Sequence, residues 1–215
     1  MRSMNETPPQ PPYPSPYPQP APAPAKSRRA FKSVGAVIGF AVGAIAVKLA
    51  LGAALGGPDD AGKYEIVPPT TFQGLTLQDS GPRVDAIKQG QGAEKKGTKR
   101  VAVVYADQSG TAQLVVSGSQ AAFGDEDPGA ELTKGLKSMG VKEADISTHP
   151  AGAPAGGAMR CGTLAVEGAS LPLCMWGDHS SLVTVTVPIE NKPVTIDELA
   201  GRARELRTAM EVPAK

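Results

Sequence analysis

Histidine, cysteine and aromatic side chains are scarce in this chain: two histidines, two cysteines and one tryptophan among 215 residues, with aromatics at 4%. Each scarcity closes a class of function. A metal site needs several soft or imidazole ligands at fixed spacing, and His149 and His179 are neither spaced nor grouped with Cys161 and Cys174 for one. Few aromatics beside abundant Ala, Gly and Val imply a core of small aliphatic side chains, which argues against an aromatic-lined ligand cavity. No Gly-x-Ser-x-Gly elbow, no His-Glu-x-x-His and no glycine-rich phosphate loop occurs, so no catalytic residue, cofactor or metal ligand is assigned from motifs. Asp125, Glu126 and Asp127 lack the spaced ligands and glycine of a calcium loop and read as acidic residues at a helix N-terminus.

Excess charge is lacking too, but the formal net charge of +1 hides an asymmetry. Residues 1–33 hold Arg2, Lys26, Arg28, Arg29 and Lys32 against Glu6, whereas residues 58–215 hold sixteen Lys or Arg against twenty Asp or Glu. A mildly acidic domain without a basic stripe does not offer the phosphate-binding surface that nucleic acid requires.

What is present divides the chain into three parts. Pro8 to Pro24 contains ten prolines in seventeen residues, so residues 1–33 read as a disordered tail sampling polyproline II, with a basic end. Residues 34–57, VGAVIGFAVGAIAVKLALGAALGG, carry a single charge, Lys48. As a helix they span about 36 Å, enough for a hydrocarbon core of about 30 Å. Lys48 lies nine residues before Gly57, where its side chain reaches toward the headgroups. The basic flank predicts a cytoplasmic N-terminus and an exported 58–215 domain. A cleaved signal peptide ending near Ala54-Leu55-Gly56 is the rival reading, disfavoured by the thirty-three residues before the apolar run. Gly35, Gly39 and Gly43 at spacings of four permit close helix–helix association in the membrane.

Within residues 58–215 the pattern alternates between strand and helix signals. Lys63 to Val67 predicts a strand, Pro82 opens a weak helix with Val84 and Ile87 on one face, and Gly90 to Lys99 reads as a polar loop. Arg100 to Ala106 and Thr111 to Ser117 predict a hairpin across Asp107-Gln108-Ser109-Gly110. Asp127 and Pro128 open a helix carrying Leu132, Leu136 and Met139, ended by Gly140. If Glu167 and Gly168 centre a tight turn, Cys161 faces Cys174 and forms a disulfide, with Leu164, Val166, Leu171, Leu173 and Met175 on the other face. Ser181 to Val187 is a further strand. Thr195 and Glu198 form a capping box for a last helix with Ile196, Leu199, Ala200, Ala203, Leu206 and Met210 buried and Arg202, Arg204, Arg207 and Glu211 outward. The expected fold is α+β: an antiparallel β-sheet with helices packed on one face, preceded by one transmembrane helix and a Pro-rich tail.

The motifs YEIVPPTTFQGL (Tyr64 to Leu75), GGAMRCG (Gly156 to Gly162), LCMWGDHSSLVTV (Leu173 to Val185) and ELAGRARELRTAME (Glu198 to Glu211) resemble those of single-pass membrane proteins of Streptomyces and related actinobacteria. The specific part is Cys-x-Trp-x-Asp at Cys174, Trp176 and Asp178; Gly177 stands where relatives more often carry Ala. The resemblance implies topology and host lineage and transfers no catalytic residue. Trp176, Asp178, His179, Ser180 and Ser181 form the one tight run of reactive side chains, and neighbours on a strand point to opposite faces, so a strand end and turn explain them better than an active site. The expected function is therefore a membrane-anchored extracytoplasmic binding or accessory module of the cell envelope, without catalysis, its partner an envelope protein or cell-wall ligand. The alternative is a cell-envelope hydrolase with its site near Trp176 to Ser181.

Overall fold

A computed structural model describes residues 61–215 apart from 95, 123, 125 and 167. The tail, the apolar segment 34–57 with Gly35, Gly39 and Gly43, and Asp125 and Glu167 lie outside the described residues. Among the described residues, no helix is long and apolar enough to cross a membrane.

The elements run β1 (Tyr64–Ile66), β2 (Thr71–Phe72), β3 (Leu75–Gln78), α1 (Pro82–Gln91), β4 (Lys99–Ala106), β5 (Ala112–Gln120), α2 (Pro128–Ser138), β6 (Ser147–His149), β7 (Ala158–Val166), β8 (Ala169–Gly177), β9 (Ser181–Thr186), α3 (Ile196–Met210) and β10 (Glu211–Pro213). Eight strands form one sheet in the order β2-β3-β4-β5-β9-β8-β7-β6, every pair antiparallel. Two meanders, β2 to β5 and β6 to β9, thus meet at the central β5–β9 pair. A separate ribbon joins β1 to β10, the two ends of the domain.

Helix starts follow local chemistry. Asp127 caps α2 by accepting from the backbone N–H groups of Gly129 and Ala130. Thr195 and Glu198 close the reciprocal capping box of α3. In the β7–β8 hairpin, Val166 pairs with Ala169 and Cys161 with Cys174, the register read from sequence, and Gly168 turns the chain at φ 83°. The cysteines are joined by a disulfide.

The α+β class and the antiparallel sheet agree with the sequence reading, but helices on one face do not. Leu132, Leu136 and Met139 of α2 pack with Leu164, Leu171, Leu173 and Met175, and Val84 and Ile87 of α1 pack with Ala102, Val104 and Val115, all on one face. Leu199, Ala203, Leu206 and Met210 of α3 cover the other face, with Val103, Val116, Cys161, Cys174, Trp176, Val183 and Val185. The physical reason is that β4 and β8 are apolar at both strand parities, so each face needs its own cover. Among the described residues Val67 is the one exposed large hydrophobic.

Both cysteines are fully buried on the α3 face, in one apolar cluster with Trp176, Val183, Val185 and the α3 stripe. Their separation of 13 residues closes a short loop, for which chain entropy gives about 3 kcal/mol. Reduction should therefore lower stability by about 2–3 kcal/mol and leave a folded domain. Thiol counting under denaturing conditions and melting with and without reductant check this; two titratable thiols in untreated protein would exclude the bridge.

Candidate functional site

The densest polar cluster lies where β8, β9 and the end of α3 meet. Asp178 follows β8, and its Oδ1 accepts from the backbone N–H groups of Ser180 and Ser181, both at 2.7 Å. This is a side chain standing in for a turn, as the sequence suggested. Its Oδ2 accepts from Arg207 Nη2 at 3.0 Å. Arg207 Nε donates to Glu211 Oε2 at 2.8 Å, and Nη1 donates to the Gly156 carbonyl at 3.1 Å. Glu211 Oε1 accepts from Trp176 Nε1 at 2.7 Å and from the Ser181 hydroxyl.

The expectation that Arg207 and Glu211 turn outward is overturned: both side chains are fully buried, at 0% exposure. Position 207 follows Ala203 by four residues and Ala200 by seven, so helical geometry sets it within the buried stripe. Its charge, not its angle, suggested solvent. Burial is tolerable because one guanidinium sits between two carboxylates and each charged group is hydrogen-bonded. Gly157 makes the closure feasible: at φ 75°, a Cβ there would lie 2.7 Å from the Gly177 carbonyl and 3.0 Å from Arg207 Nη2.

Two carboxylates share one cation, so the cluster holds one negative charge too many when fully ionised. Burial, reinforced by the charge of Asp178, pushes the Glu211 carboxyl up to about 7 against the opposing pull of Arg207 and the hydrogen bonds from Ser181 and Arg207. The Ser181 hydroxyl suits either state, since it can donate to the carboxylate or accept from the acid.

Chemically, this arrangement immobilises. Trp176, Asp178 and Ser181 are brought together, yet all three are buried and engaged with α3 and β10. The cavity beside Asp178 and His179, lined also by Glu126, Glu131 and Leu132, measures about 10 Å³, room for one water at most. Among the described residues, no group of His, Cys, Asp and Glu side chains could hold a metal ion.

A second constellation was not foreseen. On β6, the edge strand, Ser147 Oγ lies 2.8 Å from His149 Nε2, and the other ring nitrogen, Nδ1, lies 3.9 Å from Asp197 Oδ1. The legible signal was Ser-x-His in a strand, which sets both side chains on one face. Asp197, in the first turn of α3, joins them through the tertiary fold alone.

The fold and the cluster together define a class, a three-layer antiparallel α+β domain whose last helix is pinned to the sheet by buried ion pairs. No family model, curated protein or solved structure matches the chain.

Proposed function

We propose that the chain is a membrane-anchored module of the cell envelope, with residues 1–33 cytoplasmic, 34–57 crossing the membrane and the 58–215 domain outside, where it binds or supports an envelope protein or a cell-wall ligand. The observation that carries this reading is the disulfide sealed in the core, because such bonds persist in oxidising compartments and are rare in reducing ones. The basic flank of the apolar segment gives the same direction of export. The kinship with actinobacterial single-pass membrane proteins is part of the proposal and fits that topology.

A hydrolase centred on Trp176 to Ser181 is the weaker reading. Ser181 donates to Glu211, Asp178 is held by Arg207 and two backbone amides, and the adjoining cavity has no room for a substrate. These residues account for themselves as the anchorage of α3.

Protease added outside intact protoplasts should digest the 58–215 domain, read by immunoblotting of a C-terminal epitope. Complete protection, with digestion only after lysis, would reject the topology. Crosslinking on intact cells then identifies the envelope component bound.

A further inference from the structure

We propose that Ser147, His149 and Asp197 form a nucleophilic site for acyl transfer, on the open edge of the sheet and separate from the buried Arg207 cluster. The inference goes beyond the binding role, which stands whether or not the site turns over.

The pairing starts from strand periodicity. Ser147 and His149 are two residues apart on β6, so their side chains emerge on the same face, and the hydroxyl and imidazole meet at hydrogen-bond distance. That is the relation a serine nucleophile needs to its base. The hydroxyl has one other acceptor within reach, the Cys161 carbonyl at 3.4 Å, and the shorter contact to nitrogen is the stronger.

Polarity is the second observation. A carboxylate facing Nδ1 favours the tautomer protonated there and leaves the Nε2 lone pair aimed at the hydroxyl. The reverse arrangement would leave the serine unactivated. The Asp197 side chain is 93% exposed, so water screens it and its share is smaller than that of the imidazole. It is a positioning residue, held near the ring by its place in the first turn of α3, where a negative charge is favoured.

Placement is the third. Ser147 and His149 are half-buried, partly shielded and still reachable. β6 ends the sheet, and among the described residues no strand lies beyond it. An extended acyl substrate laid along that edge would meet whatever backbone groups β6 turns outward, and the oxyanion would draw on the same donors.

The chemistry balances without a cofactor. The Ser147 proton passes to His149 Nε2 as Oγ bonds to the carbonyl carbon of an ester. The bond from carbon to the leaving oxygen then breaks, and the imidazolium returns the proton to the departing alkoxide. Water repeats the sequence on the acyl-serine, giving acid and alcohol in net ester hydrolysis.

The test uses the full-length chain, purified in detergent and exposed to a fluorophosphonate, which phosphonylates activated serines. One adduct is expected, mapped to Ser147 by mass spectrometry and absent from S147A. His149→Asn, close in shape, should slow labelling by about 100-fold or more. Asp197→Ala should slow it less without lowering the melting temperature, and Asp197→Glu should restore it, whereas a merely structural aspartate would change stability and leave the labelling rate of the folded protein as it was. No adduct on the folded wild type, an adduct on another residue, or H149N labelled at the wild-type rate would overturn the site. Unchanged labelling of D197A would overturn the three-residue assignment.

Discussion

Replacing Arg207 by Met should destabilise the domain by about 3–5 kcal/mol at neutral pH, the loss typical when one partner of a buried ion cluster is removed. Met preserves much of the aliphatic stem, so packing against the α3 stripe is largely kept and the loss reports the charge. Without the guanidinium, Asp178 retains its two backbone donors and Glu211 its Trp176 and Ser181 donors, but two buried carboxylates then face each other with no cation. The Gly156 carbonyl also loses the Nη1 donor that held the 151–157 loop down. Denaturant titration of wild type and R207M measures the difference. The deficit should shrink at pH 5, where Glu211 takes up a proton, and a uniform deficit across pH would point to packing instead of charge.

Stability of the wild type should fall by about 3 kcal/mol as pH rises through the window from about 4.5 to 7, the part due to Glu211. Its carboxyl is raised from 4.5 to about 7 by burial and by Asp178. A raised carboxyl binds its proton more tightly in the folded than in the unfolded state. That contribution is fully present below 4.5 and is lost as pH climbs through 7. The sign is opposite to that of a carboxylate stabilised by an ion pair. Denaturant unfolding at pH 5, 6, 7 and 8 should give a declining series. Glu211→Gln should flatten the slope. The variant should also be less stable than wild type at pH 5, because an amide cannot accept from both Trp176 and Arg207 without setting its own N–H against a donor. The slope is therefore the discriminating quantity, and a slope unchanged in E211Q would remove Glu211 as its source.

Elements whose signals are local were legible in the sequence. The capping box at Thr195, the Asp127-Pro128 helix start and the register that opposes Cys161 to Cys174 all depend on residues within a few positions of one another. The short strands β2, β3 and β6 were not anticipated, because two to four residues carry too little periodicity to stand out and their pairing comes from neighbours elsewhere in the sheet. Covering both faces of the sheet could have been inferred from the twofold apolar pattern of Leu171 to Trp176. It was missed because an antiparallel sheet is often covered on one side only.

By itself the sequence determined the antiparallel α+β class, the disulfide hairpin and the buried stripe of the last helix, because hydrophobic period and turn chemistry act over short range. Tertiary structure alone decided the fate of the charges. Arg207 meets Asp178 across 29 residues of chain, and His149 comes within 3.9 Å of Asp197 only because α3 packs over this face of the sheet. A side chain's charge predicts solvent exposure only while no partner is in reach. Whether a partner is in reach is a property of the folded chain, since it depends on which distant elements the packing of both faces brings together.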